Sequence, residues 1–585
     1  MDSIVLKDSP VNEQRFRPGM LELLVGGVSF LLYCGTLAFK FVYDDRQQVL
    51  DNITITQWRY VPEYFANGVW ALIDPHKAGG YYRPLFLLWL KINYSLFRLG
   101  PAGWHALSVL LHVIATIQTF WLARRILKTD IAAAVAALLF AVHPVHIESV
   151  AWVSGATDPL VTVFMLAAVL GFLRFLDHWG TGEGWPLYVA SIAFAALALL
   201  SKEIAIVLPI LLIATALVTR DRAVSTRKIW QLASPFFVVT LAYFAVRYSV
   251  LHALSRSLST YSAFDVLLTW PSMVVFYLRQ LLVPLWISPY ASVYWVTSPS
   301  ARHFWIPLAV CVVIIAVTLI IYRNSSHRRT FLALFAWVVL PLLPAFYISV
   351  FPTDQIVHDR YLYLSSVGFS ILVVLVGQEL APKIFLSPKL SLSIIKVASA
   401  TLIALLAFLT FSGELDWASD LLLFTRGVAI APDNNSAVMN LGVALIENNR
   451  PAEGSRLLRL VCARDPNFAD AAHNLGRYFY ANHQDAEAET LLRRAVMLDP
   501  GQEYWLIEYA GVELRLGKIE EAESAARQAL RLRPDGTEFH VVLGAILAAK
   551  GDSSGAEDEY GQELRLHPDS VRAKAALKSL SLTRF

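Results

Sequence analysis

The sequence predicts an all-α protein in two parts, a multi-span helical membrane domain followed by an α-solenoid. Two observations lead to this fold class. Apolar residues make up 56% of the 585 residues and charged residues only 16%, against ~25% charged in typical soluble proteins. Proline then recurs every 34 residues through the C-terminal part. The composition excludes an ordinary soluble enzyme.

The charges divide the chain near residue 411. The net charge of +3 hides a C-terminal part, 412–585, with 19 basic and 26 acidic side chains, and a first part with an excess of basic ones. The first part is suited to lipid and the second to water. The predicted domains are a cytoplasmic N-terminus 1–19, a membrane domain 20–411 with a first outer loop 41–103, a linker and half repeat 412–434, four repeats 435–468, 469–502, 503–536 and 537–570, and a C-terminal capping helix and tail 571–585.

About eleven stretches are apolar enough to be membrane helices, which need ~20 apolar residues to cross the hydrocarbon core. Two of them, 186–201 and 204–219, are short. The predicted spans are 20–40, 104–124, 131–147, 159–176, 186–201, 204–219, 229–250, 304–322, 330–347, 361–378 and 390–411.

Basic residues in the short loops predict the orientation, because Lys and Arg favour the cytoplasmic side. An odd number of spans then places the repeats outside, in the periplasm or the ER lumen. Two further apolar stretches, 84–97 and 264–287, are predicted to be helices lying at the outer surface. The loop residues that set this orientation are Lys7, Arg15, Arg17, Arg124, Arg125, Lys128, Arg220, Arg222, Arg227, Lys228, Arg323, Arg328, Arg329, Lys383 and Lys389.

The C-terminal part repeats with a period of 34 residues. Each repeat carries a large residue followed by a small one at the same position, as in Leu441–Gly442 and Leu475–Gly476. Small residues let two antiparallel helices approach closely, and proline ends the second helix, which is the tetratricopeptide pattern. Such solenoids bind extended peptides on a concave face, so a protein partner is expected; a structural spacer is the alternative. The repeat prolines are Pro432, Pro466, Pro500, Pro534 and Pro568.

Charged residues beside the spans are candidates for function, because they are costly at the membrane. Asp44 and Asp45 follow the first span directly, and a solvated loop pair is the alternative interpretation. Arginine binds phosphate oxygens bidentately, so basic residues on the predicted outer face are candidates to bind a lipid phosphate. For Arg83 the alternative is interfacial snorkelling, and for Lys202 it is a self-neutralising pair with the adjacent Glu203. The basic candidates are Arg83, Lys202, Arg247 and Arg360.

A second polar group follows the third predicted span. Pro144 ends that helix, so His143, His146, Glu148 and Asp158 are predicted to lie in a short outer loop. A divalent cation held by His146, Glu148 and Asp158 is one hypothesis, although the spacing matches no strong metal signature. Mutual hydrogen bonding of these groups is the alternative. No cofactor is required by this interpretation.

Five motifs in order resemble a known family: FVYDD, YRPL, HPVHIESVAWVSG, SKE and DRYLYLSS, before the last span and the repeats. The chain resembles the TMTC family, the transmembrane and tetratricopeptide-containing protein O-mannosyltransferases, and more distantly the GT-C class of glycosyltransferases. The resemblance implies a GT-C membrane core, a dolichyl- or undecaprenyl-phosphate sugar donor, and a protein acceptor. It also implies an essential acidic residue in the first outer loop, here Asp44 or Asp45. Only four full repeats are present, fewer than in animal members.

The first functional hypothesis is therefore an inverting glycosyl transfer to Ser or Thr hydroxyls of secreted or membrane proteins. Asp44 or Asp45 acts as the general base, and Arg83, Lys202, Arg247 and Arg360 stabilise the leaving lipid phosphate. The second hypothesis is a non-enzymatic, membrane-anchored scaffold. A transporter is a third, and it predicts internal repeats and broken helices at mid-membrane. The sequence shows no such symmetry between its halves, and the ionisable groups are predicted at the outer face. The expected partners are the membrane, the donor lipid and a protein, and no nucleic acid.

Overall fold

The computed structural model describes residues 19–71, 80–220, 224–253, 261–384 and 388–582. Every regular element in these ranges is helical, so the predicted all-α fold class is confirmed. The chain divides into two compact units between Leu423 and Phe424, and each unit is described by itself. The predicted cytoplasmic segment up to residue 18 and residues 583–585 lie outside the described residues, as do the orientation-setting Lys7, Arg15, Arg17 and Arg222.

The first unit is built from membrane-length helices and shorter connecting ones. Its α-helices are α1 (Met20–Tyr33), α2 (Val61–Ala66), α3 (Pro84–Phe97), α4 (Pro101–Leu127), α5 (Asp130–Ala141), α6 (Ile147–Ala151), α7 (Thr157–Asp177), α8 (Trp185–Ser201), α9 (Leu208–Thr219), α10 (Thr226–Leu251), α11 (Ala263–Leu282), α12 (Arg302–Asn324), α13 (Arg328–Val339), α14 (Leu362–Ile384), α15 (Pro388–Glu414) and α16 (Asp420–Ile430), the last of which contains the division between the units.

The long apolar helices correspond to the predicted spans. Among the described residues, eight helices are long and apolar enough to cross a membrane, and a ninth arises if Asp130–Ala141 and Pro144–Ala151 form one bent span. The shorter apolar helices Trp185–Ser201 and Glu203–Thr219 match the two short predicted spans. The protein is therefore multi-pass. The stretch 84–97 forms α3, whereas 264–287 is helical only up to Leu282, where α11 ends.

Three of the membrane helices are interrupted, and each interruption has a local cause. Pro144 has no amide hydrogen to continue a helix, and the chain bends by 51° between Ala141 and that residue. Lys202 is extended, with φ −160° and ψ 141°, between α8 and a 3-10 turn. Pro341 and Pro344 lie in the 3-10 segment that follows α13. Irregular backbone at membrane depth occurs only where it is buried in protein or lines a cavity. We therefore expect a functional site near these breaks.

The second unit is a stack of helix pairs. Each 34-residue interval predicted as a repeat contains one antiparallel pair, and a final helix follows the fourth. The helices are α17 (Asn435–Glu447) with α18 (Pro451–Arg464), α19 (Ala469–Ala481) with α20 (Asp485–Leu498), α21 (Glu503–Arg515) with α22 (Ile519–Leu532), α23 (Phe539–Lys550) with α24 (Ser553–Leu566), and α25 (Val571–Leu582). The predicted α-solenoid is confirmed.

The first repeat has glycine on both sides of its helix contact. A Cβ added to Gly454 would lie 2.3 Å from the carbonyl oxygen of Gly442, closer than any real contact. We expect Gly454→Ala to destabilise this repeat by about 1–3 kcal/mol, because backbone atoms cannot move aside as a flexible side chain can. The matched control is Gly561→Ala in α24, where the added Cβ meets nothing closer than 3.8 Å.

The measurement is the urea concentration at which the repeats of the full-length protein become sensitive to protease. The account predicts a lower concentration for Gly454→Ala and no decrease for Gly561→Ala. Equal midpoints for the two variants would show that α17 and α18 do not approach each other this closely.

Candidate functional site

A cavity lies between two of the interrupted segments of the first unit, the break at Lys202 and the 3-10 segment with Pro341 and Pro344. The space between its walls is about 850 Å³, including the part that is open to solvent. One wall is charged and carries Lys202, Glu203 and Arg247, while the opposite wall is the apolar 3-10 segment after α13 and the chain that follows it to Phe351. Tyr81 and Tyr361 also line the cavity. A polar end beside an apolar wall suits an amphipathic ligand such as a lipid phosphate.

Arg83 and Glu203 form a bidentate ion pair at the charged wall. The Arg83 Nε atom lies 2.9 Å from Glu203 Oε2, and Nη2 lies 2.5 Å from Oε1. The guanidinium also stacks over the ring of Tyr81, 4.5 Å from its centroid. The two parallel hydrogen bonds therefore fix the orientation of the Arg83 guanidinium and of the Glu203 carboxylate. Glu203 is therefore a residue of the site, whereas the sequence indicates it only as a neutralising neighbour of Lys202.

Lys202 pairs with Asp158 and not with its neighbour Glu203. The ammonium Nζ lies 2.6 and 2.7 Å from the two Asp158 oxygens, and both side chains are almost fully buried. The extended backbone at Lys202 explains why the ammonium pairs with Asp158 and not with Glu203, because successive side chains of an extended chain point in opposite directions. The self-neutralising pair considered in the sequence is therefore not formed.

Arg360 is the third cation that has a carboxylate partner. Its guanidinium contacts Glu148 Oε1, and its backbone N–H donates to Glu148 Oε2 at 3.1 Å. The guanidinium also lies over the rings of Trp152 and Tyr361, at 5.2 and 5.4 Å. Glu148 is 1% exposed, so the pair is buried on its acidic side. Arg360 joins α6 to the 3-10 turn before α14.

Arg247 reaches the same cavity from α10. Its Nη2 donates to the carbonyl oxygen of Gly80 at 2.5 Å, and Nη1 donates to the hydroxyl of Tyr243 at 3.2 Å. Gly80 lies next to Tyr81 in the chain and also lines the cavity. All four predicted phosphate-binding cations therefore lie in or beside one cavity region, from segments far apart in the sequence.

The two acids of the first loop have different environments. Asp45 is fully buried: one oxygen accepts from the backbone N–H and the hydroxyl of Ser154, at 2.9 and 2.6 Å, and the other accepts from the backbone N–H of Val42 at 3.2 Å. Asp44 is half-buried. Asp45 is thus bound on both oxygens by the protein itself, and Asp44 is the more accessible carboxylate.

Asp44 and the cations act electrostatically on the same tyrosine of the cavity. Burial raises the pKa of Tyr81; the charges of Arg83 and Arg360 oppose this rise, and those of Glu203 and Asp44 add to it. The ring of Tyr43, next to Asp44 in the chain, also packs against Trp152, over which the Arg360 guanidinium lies.

The predicted polar loop with the two histidines is instead buried and helical. It forms the 3-10 turns Pro144–His146 and Val153–Ala156 and the short helix α6 between them. His143 bonds the carbonyl oxygen of Leu281 at 3.0 Å, and His146 bonds the hydroxyl of Ser366 at 2.7 Å. The loop prediction is wrong because apolar residues between these groups, such as Val150, are fully buried.

The residues considered for a divalent cation do not come together. His146 is bonded to Ser366, whereas Glu148 and Asp158 are paired with Arg360 and Lys202. Within the described ranges, no group of three or more His, Cys, Asp or Glu side chains is arranged to hold a metal ion. The alternative, mutual hydrogen bonding of these groups, does not describe the structure either, because each of them bonds to a residue outside the set.

Asp45 gives a prediction about pH and stability. Burial raises its pKa from 3.8 to about 7, against the hydrogen bonds from Ser154 and Val42. The folded protein binds this proton more tightly than the unfolded chain does. The stability that the protonated Asp45 adds to the fold is therefore full below about pH 4 and is lost as the pH rises to about 7. We expect the thermal midpoint of the wild type to fall relative to that of Asp45→Asn, which cannot titrate, over this interval. A constant difference between the two across the interval would contradict the assigned environment.

Comparison with known proteins gives matches in both halves. The family described as dolichyl-phosphate-mannose-protein mannosyltransferase matches residues 82–249, and the tetratricopeptide-repeat family matches 439–503 and 511–571. The first match contains Arg83, Asp158, Lys202, Glu203 and Arg247. The charged wall of the cavity thus lies within the region shared with that family.

Three relatives match across most of the chain. Protein O-mannosyl-transferase Tmtc1 of Drosophila melanogaster is 27% identical, over 76% of this chain and 61% of its own length. The Caenorhabditis elegans protein O-mannosyl-transferase F38B6.6 is 25% identical, over 76% and 63%, and human TMTC3 is 26% identical, over 74% and 50%. The chain spans between about half and under two thirds of the length of these relatives. The resemblance to transmembrane and tetratricopeptide-containing protein O-mannosyltransferases that the motifs indicate is therefore confirmed.

Proposed function

We propose that the protein is a membrane mannosyltransferase that moves mannose from a polyprenyl-phosphate donor to Ser or Thr hydroxyls of proteins. The observation that carries this proposal is the cavity itself. Its charged wall, with Lys202, Glu203 and Arg247, lies within the region similar to mannosyltransferases and meets an apolar wall. The half-buried carboxylate of Asp44 acts electrostatically on Tyr81, which lines the same cavity. The names of the relatives support mannose as the sugar.

The donor phosphate lies at the charged wall, near Lys202, Arg247 and the outer edge of the Arg83 guanidinium. Arg83 uses Nε and Nη2 for Glu203, which leaves its other N–H groups for a ligand. The lipid tail lies along the apolar wall that Pro341 and Pro344 form. The carboxylate partners keep the cations in place while the cavity is empty, and this preorganisation lowers the reorganisation cost of the reaction.

The reaction is a single displacement at the anomeric carbon. The acceptor hydroxyl oxygen forms the new bond to that carbon, and its proton passes to the Asp44 carboxylate. The bond from the anomeric carbon to the phosphate oxygen breaks, and its electron pair stays on the phosphate. Asp45 does not touch the substrate; it is a positioning residue that ties the acidic loop to Ser154. Side chains alone supply this chemistry, because a monophosphate leaving group needs less neutralisation than a diphosphate.

The site lies on the extracytoplasmic side, and the repeats bind the acceptor polypeptide there. The basic loop residues support this orientation, and the tetratricopeptide match supports a protein partner. The alternative function, a non-enzymatic scaffold, has no use for a cavity with these charges.

The test uses full-length protein in liposomes that contain polyprenyl-phosphate mannose, with the corresponding glucose lipid as the matched control. We expect mannose on Ser or Thr of an added secreted protein, release of polyprenyl phosphate in equal amount, and little transfer from the glucose lipid. If no mannose is transferred and no donor is consumed, the result supports the scaffold instead.

A further inference from the structure

Two phenol hydroxyls face the cavity without a hydrogen-bond partner. Tyr81 and Tyr361 both line it beside Lys202 and Glu203. Across the ranges that the structure describes, neither hydroxyl donates to or accepts from another protein group. Tyr361 as a whole residue is 9% exposed. Both hydroxyls are therefore available to a ligand in the cavity.

The surroundings of these hydroxyls favour an anionic acceptor. The Arg83 guanidinium lies 4.5 Å from the Tyr81 ring centroid, and the Lys202 ammonium lies 5.2 Å from that of Tyr361. Burial raises the pKa of Tyr81, so this phenol keeps its proton and remains a donor at physiological pH. Both phenols line the same cavity. Two neighbouring O–H donors flanked by cations match the oxygens of one phosphate group.

We propose that Tyr81 and Tyr361 donate hydrogen bonds to the non-bridging oxygens of the donor phosphate and stabilise it as it leaves. This inference rests on the proposed function and adds two residues to its site. Lys202, Arg83 and Arg360 are each bonded to a carboxylate, so part of their donors and of their charge is already engaged. The phenols supply uncommitted donors at fixed positions.

The contribution of the two phenols grows during the reaction. The donor is a phosphodiester with one negative charge. When the bond from the anomeric carbon to the phosphate oxygen breaks, the product lipid phosphate is a monoester that carries a second charge. Hydrogen bonds to the charged oxygens become stronger as this charge develops. Interactions that strengthen in the transition state raise kcat, whereas those equal in both states change KM.

The experiment compares Tyr81→Phe, Tyr361→Phe and the matched control Tyr82→Phe in the full-length protein. Tyr82 is the neighbour of Tyr81, but its hydroxyl donates to the backbone carbonyl of Phe65 at 3.0 Å. We expect each of the first two substitutions to lower kcat for mannose transfer by about 10-fold to 100-fold with a smaller change in KM. Tyr82→Phe is expected to lower the thermal midpoint and to retain kcat.

A second readout separates phosphate binding from a structural effect. Polyprenyl phosphate, the doubly charged product, is added as an inhibitor, and its inhibition constant is expected to rise about 10-fold in Tyr81→Phe and Tyr361→Phe. Their thermal midpoints are expected to equal or exceed that of the wild type, because the removed hydroxyls have no protein partner. Wild-type kcat and wild-type product inhibition in both variants would overturn the inference. Failure of the wild type to transfer mannose would overturn the proposed function instead.

Discussion

Asp44→Asn is expected to lower mannose transfer by ~10²-fold to 10⁴-fold, the range that a general base contributes. The substitution keeps the size of the side chain and removes the ability to accept a proton. Asp44 is half-buried, so the change should leave the thermal midpoint nearly unchanged. The affinity for the donor should also persist, because the phosphate is bound by other residues. The measurement is the single-turnover rate with donor already bound.

The matched control is Asp51→Asn, an exposed acid of the same loop. It changes the net charge by the same amount, and we expect it to retain full activity. Asp45→Asn should behave differently from both. Its amide would direct an N–H toward a protein donor, either Ser154 or Val42, so stability should fall together with activity. An Asp44→Asn protein with the wild-type rate would remove Asp44 from the mechanism.

Disruption of the buried ion pair of Lys202 and Asp158 is expected to have a large effect on the stability of the protein. Removing one partner leaves an unpaired buried charge, so Lys202→Met and Asp158→Asn are each expected to lower the free energy of unfolding by about 3–5 kcal/mol. The double variant Lys202→Met/Asp158→Leu replaces the pair with apolar groups of similar size. It should recover most of the lost stability. It should remain inactive, because the cation beside the donor phosphate is gone.

The control for this series is Arg450→Met, which breaks the exposed ion pair with Glu453. Surface pairs contribute little to stability, so this variant should match the wild type in both stability and activity. Recovery of transfer in the Lys202→Met/Asp158→Leu variant would show that the buried pair serves only the fold.

The fold was largely predictable from sequence because its signals are periodic or continuous. The 34-residue recurrence that runs from Pro432 to Pro568 predicts each helix pair of the solenoid, and apolar length predicts the spans. The bend at Pro144 and the break at Pro341 are local effects of proline. These features depend on residues that are near each other in the chain.

The site was predictable in its members but not in its pairing. Arg83 and Glu203 are 120 residues apart, and Arg360 and Glu148 are 212 apart, so no local pattern links the partners. Lys202 and Glu203 are adjacent yet point apart, since the backbone is extended there. For Tyr81 the sequence offers one signal, its position two residues before Arg83.

A single displacement with Asp44 as the base determines the anomeric configuration of the product, so this configuration is the property to measure. The measurement is an NMR assignment of the mannose linkage in an acceptor peptide after one turnover, compared with the linkage in the donor lipid. The account predicts inversion, because the acceptor hydroxyl attacks the anomeric carbon opposite the leaving phosphate. Retention would contradict it, because it requires a covalent mannosyl intermediate on the protein and hence a nucleophile where we place a base.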